Sequence, residues 1–106
     1  MSYLLQHLRR ATRVDEHVRL NRPGLYGDAY VRVLVEDSRR RRRRGDPRIA
    51  LRIADCVNTI NLAFSLASPE LRENSLHKID TLLASLHRFR DALAAEVELV
   101  ERRGAA

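Results

Sequence analysis

A run of six consecutive arginines, residues 39–44, is the feature that most restricts how this chain of 106 residues can fold. Six adjacent positive charges repel one another and do not enter an apolar core, so the run either stays in solvent or meets a polyanion. A hydrophobic segment precedes it, and Gly45-Asp46-Pro47 follows it. That tripeptide is typical of a glycine at a helix end, an aspartate N-cap and a proline at the first helical position.

The spacing of apolar residues and the breaks between them predict four helices. Asn21-Arg22-Pro23-Gly24, Gly45-Asp46-Pro47 and Ser68-Pro69-Glu70 are the breaks. Because each connection is short, neighbouring helices should be antiparallel. We therefore expect an all-α fold, with residues 1–106 forming a single helical domain and an antiparallel bundle of about four helices. The predicted helices are Ser2–Leu20, a second beginning near Leu25, Pro47–Leu66 and a long C-terminal helix, Pro69–Arg103.

Two of these segments carry further expectations. β-Branched residues are dense around Val31 and Val35, so a strand is the alternative for the second segment. Cys56 is the only cysteine, which excludes an internal disulfide. It lies in the apolar run of the third predicted helix, where we expect a buried thiol in a protein that resides inside the cell.

The C-terminal segment has a heptad pattern, in which apolar residues alternate at spacings of three and four. Arg90 falls where an apolar residue is expected. A helix of this length either overhangs a compact bundle or holds two copies together, and dimerisation is a natural way for a short chain to bury more surface. We expect a homodimer. The heptad positions are Leu76, Ile79, Leu83, Leu86, Leu93, Val97 and Val100.

The positive charge is concentrated in the first half of the chain. Residues 1–52 carry 14 arginines against six acidic residues, whereas residues 53–106 carry six basic against eight acidic residues. This asymmetry predicts a nucleic-acid-binding protein that contacts phosphates without sequence preference. Duplexes are favoured over single strands because there is no Trp and the few aromatic residues fall mostly on apolar faces.

The predicted contact residues are the arginines of the run, two arginines that follow it and three near the start of the chain. RNA and DNA remain alternative ligands. The main set is Arg39, Arg40, Arg41, Arg42, Arg43, Arg44, Arg48 and Arg52, and the second set is Arg9, Arg10 and Arg13.

The run also has an interpretation without any ligand. Arginines at a helix C-terminus stabilise the helix dipole, and pairs such as Glu36 with Arg40 lie one helical turn apart. Glu96, Glu98 and Glu101 offer negative charge for the same purpose. A membrane surface or another acidic partner is a further alternative.

No catalytic motif, metal-ligand spacing or phosphate loop is evident, so we expect a protein that is not an enzyme and uses neither a cofactor nor a metal. No segment has the roughly 20 apolar residues that a membrane span needs. We expect it in the cytoplasm, or in the nucleus of a eukaryotic or virus-infected cell.

Two local resemblances add other functions. Arg72 and His77, separated by four residues, resemble the ribonuclease signature of HEPN domains and imply a small helical nuclease. Leu25-Tyr26-Gly27-Asp28-Ala29 together with Arg44-Gly45-Asp46 resembles the flagellin export chaperones. That resemblance implies a helical adaptor that binds an amphipathic helix of a partner protein.

Overall fold

The described part of the chain forms a four-stranded antiparallel sheet followed by a long helix. The computed structural model describes residues 12–25, 27–37, 39 and 47–105. The strands are β1 Thr12–Arg19, β2 Ala29–Glu36, β3 Ile49–Asp55 and β4 Asn58–Leu62, and the helix is α1 Pro69–Ala105. These elements divide into two compact units, residues 1–67 with the sheet and residues 68–106 with the helix. The fold is therefore α+β.

The all-α prediction is wrong for the first three predicted helices. Where helices were expected up to Leu20, from Leu25 and over Pro47–Leu66, the described residues form strands and their connections. A spacing of four fits both a helix and a strand, because residues i and i+4 share a face in either element. The dense β-branched residues of the second segment favour the pleated conformation, so the strand alternative there is confirmed.

The sheet is a meander in which each strand pairs with the next along the chain. β2 and β3 are the central strands, and β1 and β4 are the outer strands of the described part. The register between β1 and β2 shifts between Thr12 and Val14, as a β-bulge does. Residues 37–48, which contain the arginine run, connect β2 to β3.

The register gives the sheet two unlike faces, because paired residues on antiparallel strands point the same way. One face, called the apolar face, carries mostly apolar residues and three polar ones, Glu16 opposite Val33 and the pair of Asp55 and Asn58 at one end. Its apolar members are Val14, Val18, Ala29, Val31, Val33, Val35, Ile49, Leu51, Ile53, Ile60 and Leu62. The other, called the polar face, carries Asp15, His17, Arg19, Tyr30, Arg32, Leu34, Ala50, Arg52, Ala54, Thr59 and Asn61. The alternation along β2 and β3 thus separates branched apolar side chains from arginines.

The hairpin between β3 and β4 turns through two residues, Cys56 and Val57. Cys56 has a positive φ of 56°, and its thiol is exposed, so the prediction of a buried thiol is wrong. A positive φ at the first central position suits the right-handed twist of the flanking strands. The backbone N–H of Cys56 donates to the carbonyl of Asp28 at 2.7 Å and ties this turn to the residues before β2.

Helix α1 confirms the fourth predicted helix. Its start is fixed by Ser68, whose hydroxyl accepts a hydrogen bond from the backbone N–H of Leu71 at 3.1 Å. The serine carbonyl accepts the first helical bond, from the N–H of Arg72 at 2.9 Å. Ser68 is therefore the N-cap that the sequence indicated. Acidic Glu70 in the first turn and two arginines in the last turn complement the helix dipole.

Candidate nucleic-acid interface

A row of polar side chains crosses the polar face, one from each strand. His17 pairs with Arg32, Arg32 with Arg52, and Arg52 with Asn61. Directly opposite residues on antiparallel strands have Cβ atoms about 4.5–5.5 Å apart. The side chains of Arg32 and Arg52 therefore leave the backbone at adjacent positions in the centre of the sheet. This like-charged pair is the most unusual feature of the face.

The two central arginines differ in what neutralises them. Nη2 of Arg32 forms an ion pair with Oδ1 of Asp15 at 2.9 Å, between side chains that are both close to half exposed. Nε of Arg52 donates at 3.0 Å to the amide oxygen of Asn61, which is neutral. Among the described residues, no carboxylate lies within 4.0 Å of the Arg52 guanidinium. Arg52 therefore presents an uncompensated charge to solvent.

An aromatic pair lies beside these arginines. The rings of His17 and Tyr30 stack with centroids 4.3 Å apart and an interplanar angle of 24°. Both residues belong to the polar face, where Tyr30 is paired with Arg19. The aromatic residues were expected mostly on apolar faces, and Tyr30 lies instead on the polar face. A flat π surface next to arginines is the combination on which unpaired nucleic-acid bases stack.

The arginine run begins at an ion pair. Nη2 of Arg39 lies 2.7 Å from Oδ2 of Asp37, and the backbone N–H of Arg39 donates to Oδ1 of the same carboxylate at 2.9 Å. These hydrogen bonds lower the pKa of the Asp37 carboxyl well below its usual range. The first arginine of the run therefore forms an ion pair within its own chain. This is what the interpretation of the run without a ligand expects, but the acidic partner is Asp37.

The sheet brings several predicted contact residues to one end. Thr12 pairs with Glu36 in β2, and the N–H of Glu36 donates to the carbonyl of Arg48 at 2.9 Å. Arg13, Arg39 and Arg48 therefore share the end of the sheet to which the run is attached, and all three are exposed. The predicted pole of a helical bundle does not form, because these residues belong to strands and their connections.

The remaining predicted contact residues lie outside the described part of the chain. They are Arg9, Arg10, Arg40, Arg41, Arg42, Arg43 and Arg44. Arg52, by contrast, lies on the polar face as part of the row. His17, Tyr30 and Arg32 belong to the same surface, and the sequence analysis missed them. The signal that could have found them is the alternation of Tyr30, Arg32 and Leu34 with the valines of β2.

The two residues of the nuclease resemblance both lie on helix α1. Arg72 and His77 are five positions apart on α1, which places them roughly 140° apart around the helix axis. Nε2 of His77 lies 3.4 Å from the hydroxyl of Thr81 on the next turn. The helical bundles implied by the HEPN and flagellin-chaperone resemblances are not formed either, since Gly27 and Asp28 lead into strand β2.

The described residues contain neither a metal-site cluster nor a helix able to span a membrane. Within residues 12–25, 27–37, 39 and 47–105, no group of three His, Cys, Asp or Glu side chains has the geometry of a metal site. No helix in that same part of the chain combines the length and apolar character needed to cross a membrane.

Comparisons with protein-family models, with curated proteins and with solved structures found no match for this chain. The geometry of the polar face and the distribution of charge are the observations that bear on function.

Proposed function

We propose that this chain binds nucleic acid through its phosphates, without sequence preference, using the polar face of the sheet and the arginine run. The observation that carries the proposal is the direct pairing of Arg32 with Arg52 on the two central strands. Like charges directly opposite each other destabilise a sheet. A bound phosphate offsets this repulsion, because guanidinium groups bind phosphate oxygens through two parallel hydrogen bonds.

The charge of the whole sheet unit supports the same ligand. Residues 1–67 carry 14 arginines against seven acidic residues, a net charge of +7. A unit of this size with that charge attracts polyanions over a distance set by the salt concentration. Arg48 and Arg52 extend the positive surface from the run onto the sheet.

The same geometry argues for contact without base reading. Sequence-specific recognition in a duplex needs an element that enters a groove with side chains aimed at base edges. The polar face is the surface of a four-stranded sheet, and its arginines are suited to backbone contact. The stacked His17–Tyr30 pair supports contact with unpaired bases as well. We therefore extend the proposal from duplexes to single strands.

A salt titration tests the proposal. Binding to labelled double-stranded RNA, double-stranded DNA and single-stranded RNA of equal length would be measured from low to moderate salt. We expect tight binding at low salt and a steep linear fall of log affinity with log salt. Absence of binding to all three at low salt would overturn the proposal.

Three variants locate the contact surface. Arg52→Gln should lower the salt slope by about 1, and a triple change of Arg40, Arg42 and Arg44 to Gln should lower it by roughly 2 to 3. Arg103→Gln on α1 removes one exposed charge outside the sheet unit and should leave the slope unchanged. Equal effects of Arg52→Gln and Arg103→Gln would show that the polar face is not the contact surface.

A further inference from the structure

Helix α1 carries a row of apolar side chains, most of them exposed; Ile79 is half-buried. Leu76 is 67% exposed at one end of the row, and Val100 is 60% exposed at the other. The row follows heptad spacing over 25 residues, roughly 36 Å of helix. We call it the α1 seam, and it consists of Leu76, Ile79, Leu83, Leu86, Leu93, Val97 and Val100, with Arg90 as its one charged position.

We infer that the α1 seam is covered by the α1 seam of a second copy of this chain, in an antiparallel two-helix coiled coil. A seam of apolar residues at alternating spacings of three and four is the pattern that packs one helix into another. It persists for more than three heptads, the length at which such a pattern indicates a coiled coil. The α1 seam belongs to a different unit from the proposed nucleic-acid surface, and its pairing does not depend on nucleic-acid binding.

A parallel pairing is disfavoured by three charged residues. In a parallel dimer in register, Arg90 would meet Arg90 of the partner subunit inside the seam. Glu96 would flank the seam opposite Glu101 of the partner subunit, at the positions whose charges set coiled-coil orientation. Both contacts join like charges, and both would occur in every parallel dimer of this register.

An antiparallel pairing centred on residue 88 removes these contacts and leaves no seam position without a counterpart. Arg90 then faces Leu86, and its long side chain can run along the apolar surface with its charged group in water. Asp91 lies 4.0 Å from this guanidinium within the same helix. The facing residues of the two copies are Leu76 with Val100, Ile79 with Val97, Leu83 with Leu93, and Leu86 with Arg90.

Phe89 provides an independent reason for the antiparallel orientation. It flanks the seam and is 64% exposed, which is unusual for so large an apolar ring. In the antiparallel pairing Phe89 lies beside Phe89 of the partner subunit, whereas in a parallel pairing it would lie beside Ala94. The antiparallel dimer therefore buries two aromatic rings against each other, close to its centre.

Sedimentation of the full chain without nucleic acid tests whether the seam pairs. We expect a dimer at micromolar concentrations. Leu83→Glu should shift the chain to a monomer, because it places a charge in the seam opposite Leu93 of the partner subunit; Leu83 is 49% exposed in the single chain. Leu99→Glu is the matched control: Leu99 is 39% exposed and lies outside the seam, so the variant should remain a dimer. A wild-type monomer at every concentration would overturn the inference, whether the seam packs within its own chain or receives a helix of another protein.

Disulfide trapping tests the orientation and does not depend on the folding of the charged variant. Leu76→Cys and Val100→Cys would be made separately, with different tags, in a Cys56→Gly background, since glycine readily adopts the positive φ of that position. Mild oxidation of the mixture should yield the mixed 76–100 product and little of either symmetric product. Predominantly symmetric 76–76 and 100–100 products would show a parallel dimer and overturn the antiparallel assignment.

Discussion

The sheet unit and the helix unit use charge in opposite ways. Residues 1–67 have a net charge of +7, whereas residues 68–106 carry six basic and seven acidic residues, a net charge of −1. On the sheet, the register places Arg32 directly opposite Arg52. On the helix, Arg102 pairs with Glu98 one turn away. The sheet unit therefore carries an excess of positive charge, whereas the charges of the helix unit nearly cancel.

The two units also differ in how they treat apolar residues. In the sheet, branched side chains gather on one face, and the alternation fixes which residues share it, because a slip of one position would reverse the faces. In the helix, seven apolar side chains form a seam, most of them exposed. The surface of the sheet unit is therefore suited to a polyanion, and that of the helix unit to a second apolar helix.

The largest expected change in stability affects the sheet unit and leaves the helix unit unchanged. Ala54 is 2% exposed on the polar face between Tyr30 and Thr59, so Ala54→Leu should overpack the site and lower the free energy of unfolding by about 1–3 kcal/mol. Ala50→Leu is the matched control, since Ala50 is an exposed alanine on the same face of the same strand. Urea unfolding followed by tyrosine fluorescence reports this unit alone, because all three tyrosines lie in it. Equal changes in the two variants would contradict the assigned burial.

A somewhat smaller change acts on the helix. Ser68→Ala removes the N-cap hydroxyl that accepts from Leu71 and should destabilise α1 by about 0.5–2 kcal/mol. Ser85→Ala, at an exposed position inside the helix, loses only the exposed hydrogen bond that Arg88 donates to this hydroxyl at 3.2 Å and gains helix propensity, so its effect should be much smaller. Helical ellipticity during urea unfolding measures both variants, and tyrosine fluorescence should not change. A loss of sheet stability in Ser68→Ala would show that the two units do not unfold independently.

The smallest expected change concerns the ion pair at the start of the arginine run. The Asp37 pKa is lowered in the folded chain from its ordinary value of 3.8. The pair therefore stabilises the sheet fully above that value, and the contribution is lost as the pH falls through the lowered pKa. The difference in urea midpoint between wild type and Arg39→Gln should be largest at neutral pH and shrink in acid. Arg48→Gln is the control, and a difference that grows in acid would contradict the pairing.

The helix could be predicted from the sequence because its signals agree with one another. Ser68-Pro69-Glu70 marks the start, and the spacing from Leu76 to Val100 fits no alternation of period two. For the strands, the sequence patterns did not distinguish a strand from a helix. Ile49 and Ile53 are four apart, which suits either element. The β3–β4 turn has Cys56 and Val57 at its centre instead of the Gly or Asn that usually indicates a hairpin. Without that turn signal, the segment resembled one long helix.

The candidate site was predictable only in part. Arg48 and Arg52 could be named because they follow the arginine run closely in the sequence. Arg32 and His17 could not, because they join the surface through the pairing of β1, β2 and β3, and register between strands depends on contacts that are distant in sequence. The predicted pole of charge depended on bundle topology and failed with it.

The two outer strands of the described sheet are protected by different means. β1 carries charges of both signs along its length, including Arg13, Asp15 and Arg19, and such charges deter an incoming strand. β4, Asn58–Leu62, carries none, and Ile60 is 56% exposed on it. Among the described strands none pairs with its outer edge, and an unpaired edge is a template for aggregation. With five residues, β4 offers an intruding chain few hydrogen bonds, so its shortness, more than its composition, limits growth of the sheet at that edge.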